Sequence, residues 1–292
     1  MRRTLIALFA TLAATPALAA PETVAMPAGP WEASFEGGIC RMQRAFEAGG
    51  QPHLLILEQN APGRAVGIAL AGPSLAGLDE GAPLRVTLAA SDDGFDKQAR
   101  IEPNNRFGHV AVLNGVWLAD GVDAEGSNRS RIDTGAAQFV ERIAVSQGGR
   151  SVAFATGSLT DAAEALNGCT AQILRSWGLD PAQQYGLQQA AQPAEPAKLT
   201  KEMREAYPRG AARGLRSGPL EVVALVDEKG TATACKVVAV SPWSDLDAAT
   251  CEALTKARYT PARDAEGRAV ASFWTTRVNF FATEYEKETR RP

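Results

Sequence analysis

Four cysteines and two histidines are the residues of this chain best suited to covalent or metal chemistry, and their spacing decides what they can do. Cys40, Cys169, Cys235 and Cys251 contain no CxxC pair, and neither His53 nor His109 lies near any of them in sequence. Zinc sites draw on close ligand pairs, so this spacing speaks against a metal. His53 at a strand start and His109 at the head of HVAVL have the side chain of a general base. No serine or cysteine nucleophile can be tied to either from the sequence, which favours a structural place in or beside a sheet. SDDGFD, from Ser91 to Asp96, gathers three carboxylates in a turn, but the spacing and bidentate glutamate of a calcium loop are missing, so it reads as a solvated loop. The sequon at Asn128 is a match that chance supplies often. There is no P-loop, HExxH, GxSxG or dinucleotide fingerprint. The expectation is a non-catalytic chain with no catalytic residue, no metal and no cofactor.

The cysteines then have to be read with the compartment. Arg2 and Arg3 precede an apolar, alanine-rich run that is short for a membrane span, and Ala17-Leu18-Ala19 offers small residues where a signal peptidase cuts. This predicts a cleavable signal peptide over residues 1–19 and a periplasmic mature protein; the alternative is an uncleaved anchor. Cleavage would leave 28 basic against 33 acidic residues. A mildly acidic chain lacks the concentrated basic face that nucleic acid requires, so no nucleic-acid partner is expected, and membrane contact only if the signal stays. Composition sets no oligomeric state. Four cysteines in an oxidising space favour disulfides.

The elements that must position these residues fall on either side of a composition shift. Residues 180–198, rich in Pro, Ala and Gln and without hydrophobic period, read as a partly extended linker. Before it, residues 20–179 carry short β-like runs (CRMQRAF, HLLILEQ, AVGIALAG, LRVTLAA, HVAVLNGVWLA, FVERIAVS, RSVAFATG) separated by turn residues, which predicts a mainly antiparallel β domain, sandwich or barrel-like. One helix should close it. Leu159, Ala162, Ala163, Leu166, Cys169, Ile173 and Trp177 recur at helical spacing, with Ser158 and Asp161 as a capping box and Gly178 and Pro181 as the stop. A bond from Cys169 to Cys40, at an early strand, would join the last and first elements; the alternative is two buried free thiols.

After the linker, Leu220 to Asp227 reads as a strand buried on both faces, DEKG as a turn with Gly230 at positive φ, and Ala232 to Ser241 as a second strand. Ser244 opens a helix with Leu246, Ala249, Ala253, Leu254 and Ala257 on its buried stripe, and Pro261 ends it. Val270 to Phe281 is the last strand. The motifs YPRGAARG, LEVVALVDEKG, SPWSDLDAATCEAL, ARYTPARDAEGRAV and TTRVNFF stand in this order between Leu199 and Glu284. In that order they resemble the C-terminal domain of TonB and TonB-like energy transducers, over residues 199–284, with residues 285–292 as a polar tail.

The resemblance implies an α+β chain whose second domain is a small ββαβ unit. It also implies an envelope partner, such as a peptide segment of an outer-membrane receptor, paired to an exposed strand edge. The edge so implied is the last strand, through Phe273, Thr275, Arg277 and Asn279, while Trp274, Val278 and Phe280 face the helix. The bland alternative is a strand covered by the tail from Thr283 to Pro292. Cys235 and Cys251 come from the adjacent second strand and helix, so a bridge between them would pin one to the other; the alternative is a redox-active pair. The signal looks cleavable and the linker short, whereas a transducer needs an anchor and a long arm. The reading is therefore a periplasmic binding module, with two alternatives: an anchored transducer or regulator of receptor transport, and a hydrolase or ligand-binding enzyme using the N-terminal domain.

Overall fold

The computed structural model describes residues 21–89, 93–118 and 130–281. The signal at residues 1–19, the tail from Thr283 to Pro292, the start of the SDDGFD turn and Asn128 of the sequon lie outside them. Among the described residues the chain is mixed α+β and mostly strand, and no helix is long and apolar enough to cross a membrane.

Ten strands build the first sheet: β1 (Thr23–Glu36), β2 (Ile39–Ala48), β3 (Gln51–Gln59), β4 (Ala65–Ala71), β5 (Leu84–Thr87), β6 (Phe95–Lys97), β7 (Arg100–Asn104), β8 (Gly108–Trp117), β9 (Ile143–Gln147) and β10 (Arg150–Phe154). Their order is β6-β5-β9-β10-β1-β2-β3-β4-β8-β7. β1 joins the two halves, since it runs parallel to β10 at Thr23 to Ala25 and antiparallel to β2 from Met26 onward. The register shifts between Pro27 and Trp31, where two prolines could not serve a continuous ladder. Arg44 crosses this irregularity and donates from Nε to the Gly29 carbonyl at 2.8 Å and from Nη1 to that of Thr156 at 2.9 Å. Gly49 and Gly50, at φ 57° and 73°, make the two-residue turn from β2 to β3 that positive φ permits. Along β3 the alternation buries His53, Leu55, Leu57 and Gln59, and the core fills around Phe46 and Phe154, edge to face at 5.3 Å.

The expected closing helix is α2 (Thr160–Ser176), which lays Ala162, Ala163, Leu166 and Ile173 on the core. It is not alone. A 3₁₀ turn at Pro73–Leu75 and α1 (Thr134–Ala137), capped by Asp133, also occur, and both are too short to show a helical period. The capping box does not form: Ser158 Oγ accepts from the Thr160 amide at 3.3 Å while Leu159 occupies the cap. β9 starts only at Ile143, and Phe139, assigned to that strand from sequence, is 70% exposed.

Residues 180–198 are not the extended spacer expected. They form α3 (Pro181–Tyr185), β11 (Gln192–Pro193) and the start of α4 (Pro196–Glu205). Polar residues hold them in place. Gln184 is fully buried, its side chain donating to the Ala271 carbonyl at 3.0 Å and accepting from Ser272 Oγ at 2.6 Å, while the main-chain carbonyl of Gln189 accepts from the Arg263 amide at 2.8 Å. A glutamine-rich stretch looks solvated until the carbonyls it serves are known.

The remaining elements are α5 (Arg209–Arg213), β12 (Gly218–Val226), β13 (Ala232–Ala239), α6 (Ser244–Lys256), β14 (Tyr259–Thr260), β15 (Ala262–Arg263), β16 (Ala269–Val270) and β17 (Ser272–Phe280). The ββαβ outline is thus enlarged by two leading helices and by two small ladders, β11-β14 and β15-β16. β13, β12 and β17 form one antiparallel sheet in that order. Val222, Ala224 and Val226 turn to Leu246 and Leu254 of α6, while Val223 turns the other way, toward Leu174 and Leu179. In the DEKG turn, Asp227 Oδ1 accepts from the amides of Lys229 and Thr231, and Gly230 sits at φ 75°. A Cβ there would also lie 2.0 Å from the Tyr259 carbonyl oxygen, because β14 donates the Tyr259 amide to Gly230 at 2.9 Å. α6 begins at Ser244, with Asp247 accepting from the Ser241 amide rather than from a cap at Ser244.

Candidate functional site

All nine residues of β17 pair with β12, from Ser272 opposite Val226 to Phe280 opposite Gly218. That ladder uses one edge. On the other edge, no strand among the described residues pairs with β17, so alternate amides and carbonyls along that edge have no strand partner, with Ser272 and Phe273 at its start buried. The opposite outer strand, β13, is tied to α6 by the Cys235–Cys251 disulfide. In the first sheet a second disulfide, Cys40–Cys169, ties β2 to α2, and no described cysteine is free.

The two faces of β17 are differently occupied. Trp274, Val278 and Phe280 belong to the α6-side core: Trp274 lies 6.0 Å from Tyr259, and Phe280 stacks on Tyr207 at 5.3 Å. Tyr207, from the YPRGAARG motif, donates to the Arg216 carbonyl at 2.5 Å, and Arg216 pairs with Asp245 at 2.7 Å and lies over Trp243. These motif residues hold β17 in position from behind. On the other face Thr275, Arg277 and Asn279 are exposed, but Phe273 is not. It packs edge to face on Trp177 at 5.5 Å and against Val223, Leu174 and Leu179. Unlike the other three, the Phe273 side chain is therefore not presented to solvent, because the end of α2 and the turn after it cover that end of the face.

Two clefts follow the free edge. One, of about 410 Å³, is lined by Ser272 to Thr275 together with Arg64, Trp117 and the segment around Ala191. The other, of about 290 Å³, lies beside Val278 to Phe281 and is walled by Met203, Arg204 and Tyr207. Sequence reasoning passed over all five wall residues. None belongs to a motif except Tyr207, and Arg64 and Trp117 meet only because Ala65 of β4 pairs with Trp117 of β8.

Tyr259 supports this edge from below. Its hydroxyl donates to the Leu254 carbonyl at 3.0 Å, and burial pushes the phenol up to about 12. An unfolded tyrosine ionises near ~10, so the folded state binds the proton more tightly. The stability this provides is complete below pH ~10 and is lost as pH rises toward 12. Melting temperature followed from pH 8.5 to 11.5 is expected to fall more steeply for the native chain than for Tyr259→Phe. That variant should start lower by about 1 kcal/mol for the missing hydrogen bond.

His53 takes a structural place, whereas the Nδ1 of His109 is buried without a hydrogen-bond partner among the described residues. His53 is 2% exposed; its Nδ1 donates to the Gln51 carbonyl at 3.0 Å, and its Nε2 hydrogen-bonds with Ser74 Oγ at 2.6 Å. The distance suits a nucleophile and its base. However, the cavity of about 520 Å³ that His53 lines does not include Ser74, and the pair binds the 3₁₀ turn to β3. Among the described residues no cluster of three His, Cys, Asp or Glu side chains could hold a metal.

Residues 203–281, from the second half of α4 to the end of β17, match the family model of the Gram-negative bacterial TonB protein C-terminal. This part of the chain is a TonB C-terminal domain. Searches of curated proteins and of solved structures returned no match to the chain.

Proposed function

We propose that this protein is a periplasmic, non-catalytic binding module that takes up an extended segment of an envelope protein, such as an outer-membrane receptor, as a fourth strand on the free edge of β17. The unpartnered nine-residue edge carries this reading. Main-chain pairing supplies affinity in such a mode, and side-chain pockets beside the strand supply selectivity. The clefts at the two ends of β17 suit that division of labour. Within this reading Thr275, Arg277 and Asn279 flank the guest strand, residues 20–179 and 199–284 act as two domains, and the signal at residues 1–19 is removed. An intact Met1 in the mass of the mature protein would instead support the anchored transducer.

Strand addition has a period of two, and that makes it testable. Binders are selected from a displayed random twelve-residue library against the full chain, synthesised, and N-methylated at odd or at even positions. One methylated set is expected to lose binding roughly a hundredfold or more and the other to keep it, since only alternate amides enter the ladder. Equal tolerance of both sets, or a library without binders, overturns the reading.

A further inference from the structure

Resting on strand addition at β17, we infer that the N-terminal sheet contributes a carboxylate reader to the same site, so that the guest segment carries an aspartate or glutamate opposite Ser272 to Trp274. The reader is Arg64. Its guanidinium lies 4.2 Å from the centre of the Trp117 ring, so one face is held by the indole. Trp117 is 7% exposed and Arg64 is half-buried, which fixes the plane of the group in the cleft. No hydrogen bond or ion pair to Arg64 occurs among the described residues. A stacked guanidinium whose edge N–H groups have no acceptor is prepared for a planar, two-oxygen anion, and a carboxylate has that shape.

The position along the strand follows from the other charges. Glu221 also lines this cleft, where it accepts from Asn60 Nδ2 at 3.3 Å, and it stands across the ladder from Arg277. Arg277 lies five residues beyond Ser272, about 17 Å along the strand. Within the cleft Glu221 repels a guest carboxylate and Arg64 attracts it, so the acid is drawn to the Arg64 side. The cleft therefore selects both for an acidic residue and for its place in the guest. The TonB C-terminal match begins at residue 203 and contains neither Arg64 nor Trp117, so this selectivity belongs to the combined chain and not to the matched domain.

The same displayed library separates this inference from the reading beneath it. Selection on the native chain is expected to enrich Asp or Glu at one position, and replacing that residue by its amide in the synthesised peptide should weaken binding about tenfold. With Arg64→Gln that difference should shrink to about twofold or less, and Arg64→Lys, which keeps the charge but loses the flat stacked fork, should fall between. Melting temperatures of the variants confirm that each is folded. Binders that show the alternating N-methyl pattern but no acidic position, or an acid preference unchanged in Arg64→Gln, overturn the reader while strand addition stands. Absence of binders takes down both.

Discussion

Replacing Cys40 and Cys169 together by alanine is expected to lower the free energy of unfolding by about 5 kcal/mol, a large part of what a domain normally has. The bond closes a loop of sequence separation 129, and Cys40 is completely buried between β2 and α2. In the chain-entropy account the unfolded ensemble gains the freedom that the crosslink withheld, and the gain grows with the logarithm of loop length. Removing the Cys235–Cys251 bond, of separation 16, should cost about 3 kcal/mol by the same relation. Guanidinium unfolding of the two double variants, each compared with the native chain, gives both numbers. Equal losses would show that local packing around the sulfurs, rather than loop closure, sets the stabilisation.

Features with a local cause were legible in the sequence. The α2 stripe, the DEKG turn and the doubly buried β12 each follow from periodicity or from one glycine whose φ only that residue adopts readily. β1 was not, because Pro27, Gly29 and Pro30 break the pattern of a strand whose irregular centre is repaired by Arg44, a residue of the next strand. Residues 180–198 failed for a related reason. The buried Gln184 is satisfied by the carbonyl of Ala271 and the hydroxyl of Ser272, and the backbone of Gln188 and Gln189 pairs with that of Arg263, partners that no window along the chain brings together. The candidate site divides in the same way: its edge strand can be named from the order of the motifs, while the Arg64–Trp117 wall depends on a pairing of β4 with β8.

Phe273→Ala is expected to cost about 4 kcal/mol, the usual range for emptying a buried aromatic site. Only 8% of Phe273 is exposed, and its ring fills the space between Trp177, Leu174, Leu179 and Val223. The loss should not be uniform. This small core is the apolar contact between the C-terminal sheet and the end of α2 with the turn after it, alongside the polar links of Asn60 to Glu221 and of Gln184 to Ala271. Weakening it lets the β13-β12-β17 sheet open without the larger core, so a single denaturant transition should separate into two, with the Cys40–Cys169 half unfolding last. Trp177→Ala removes the other member of the pair, and the double variant should be less destabilised than the sum of the singles, because each truncation already forfeits their mutual contact. The position of Arg64 relative to β17 depends on this same contact. Phe273→Ala should therefore retain the alternating N-methyl pattern of bound peptides while losing their acidic preference, a separation that follows only if the two sheets form one recognition site.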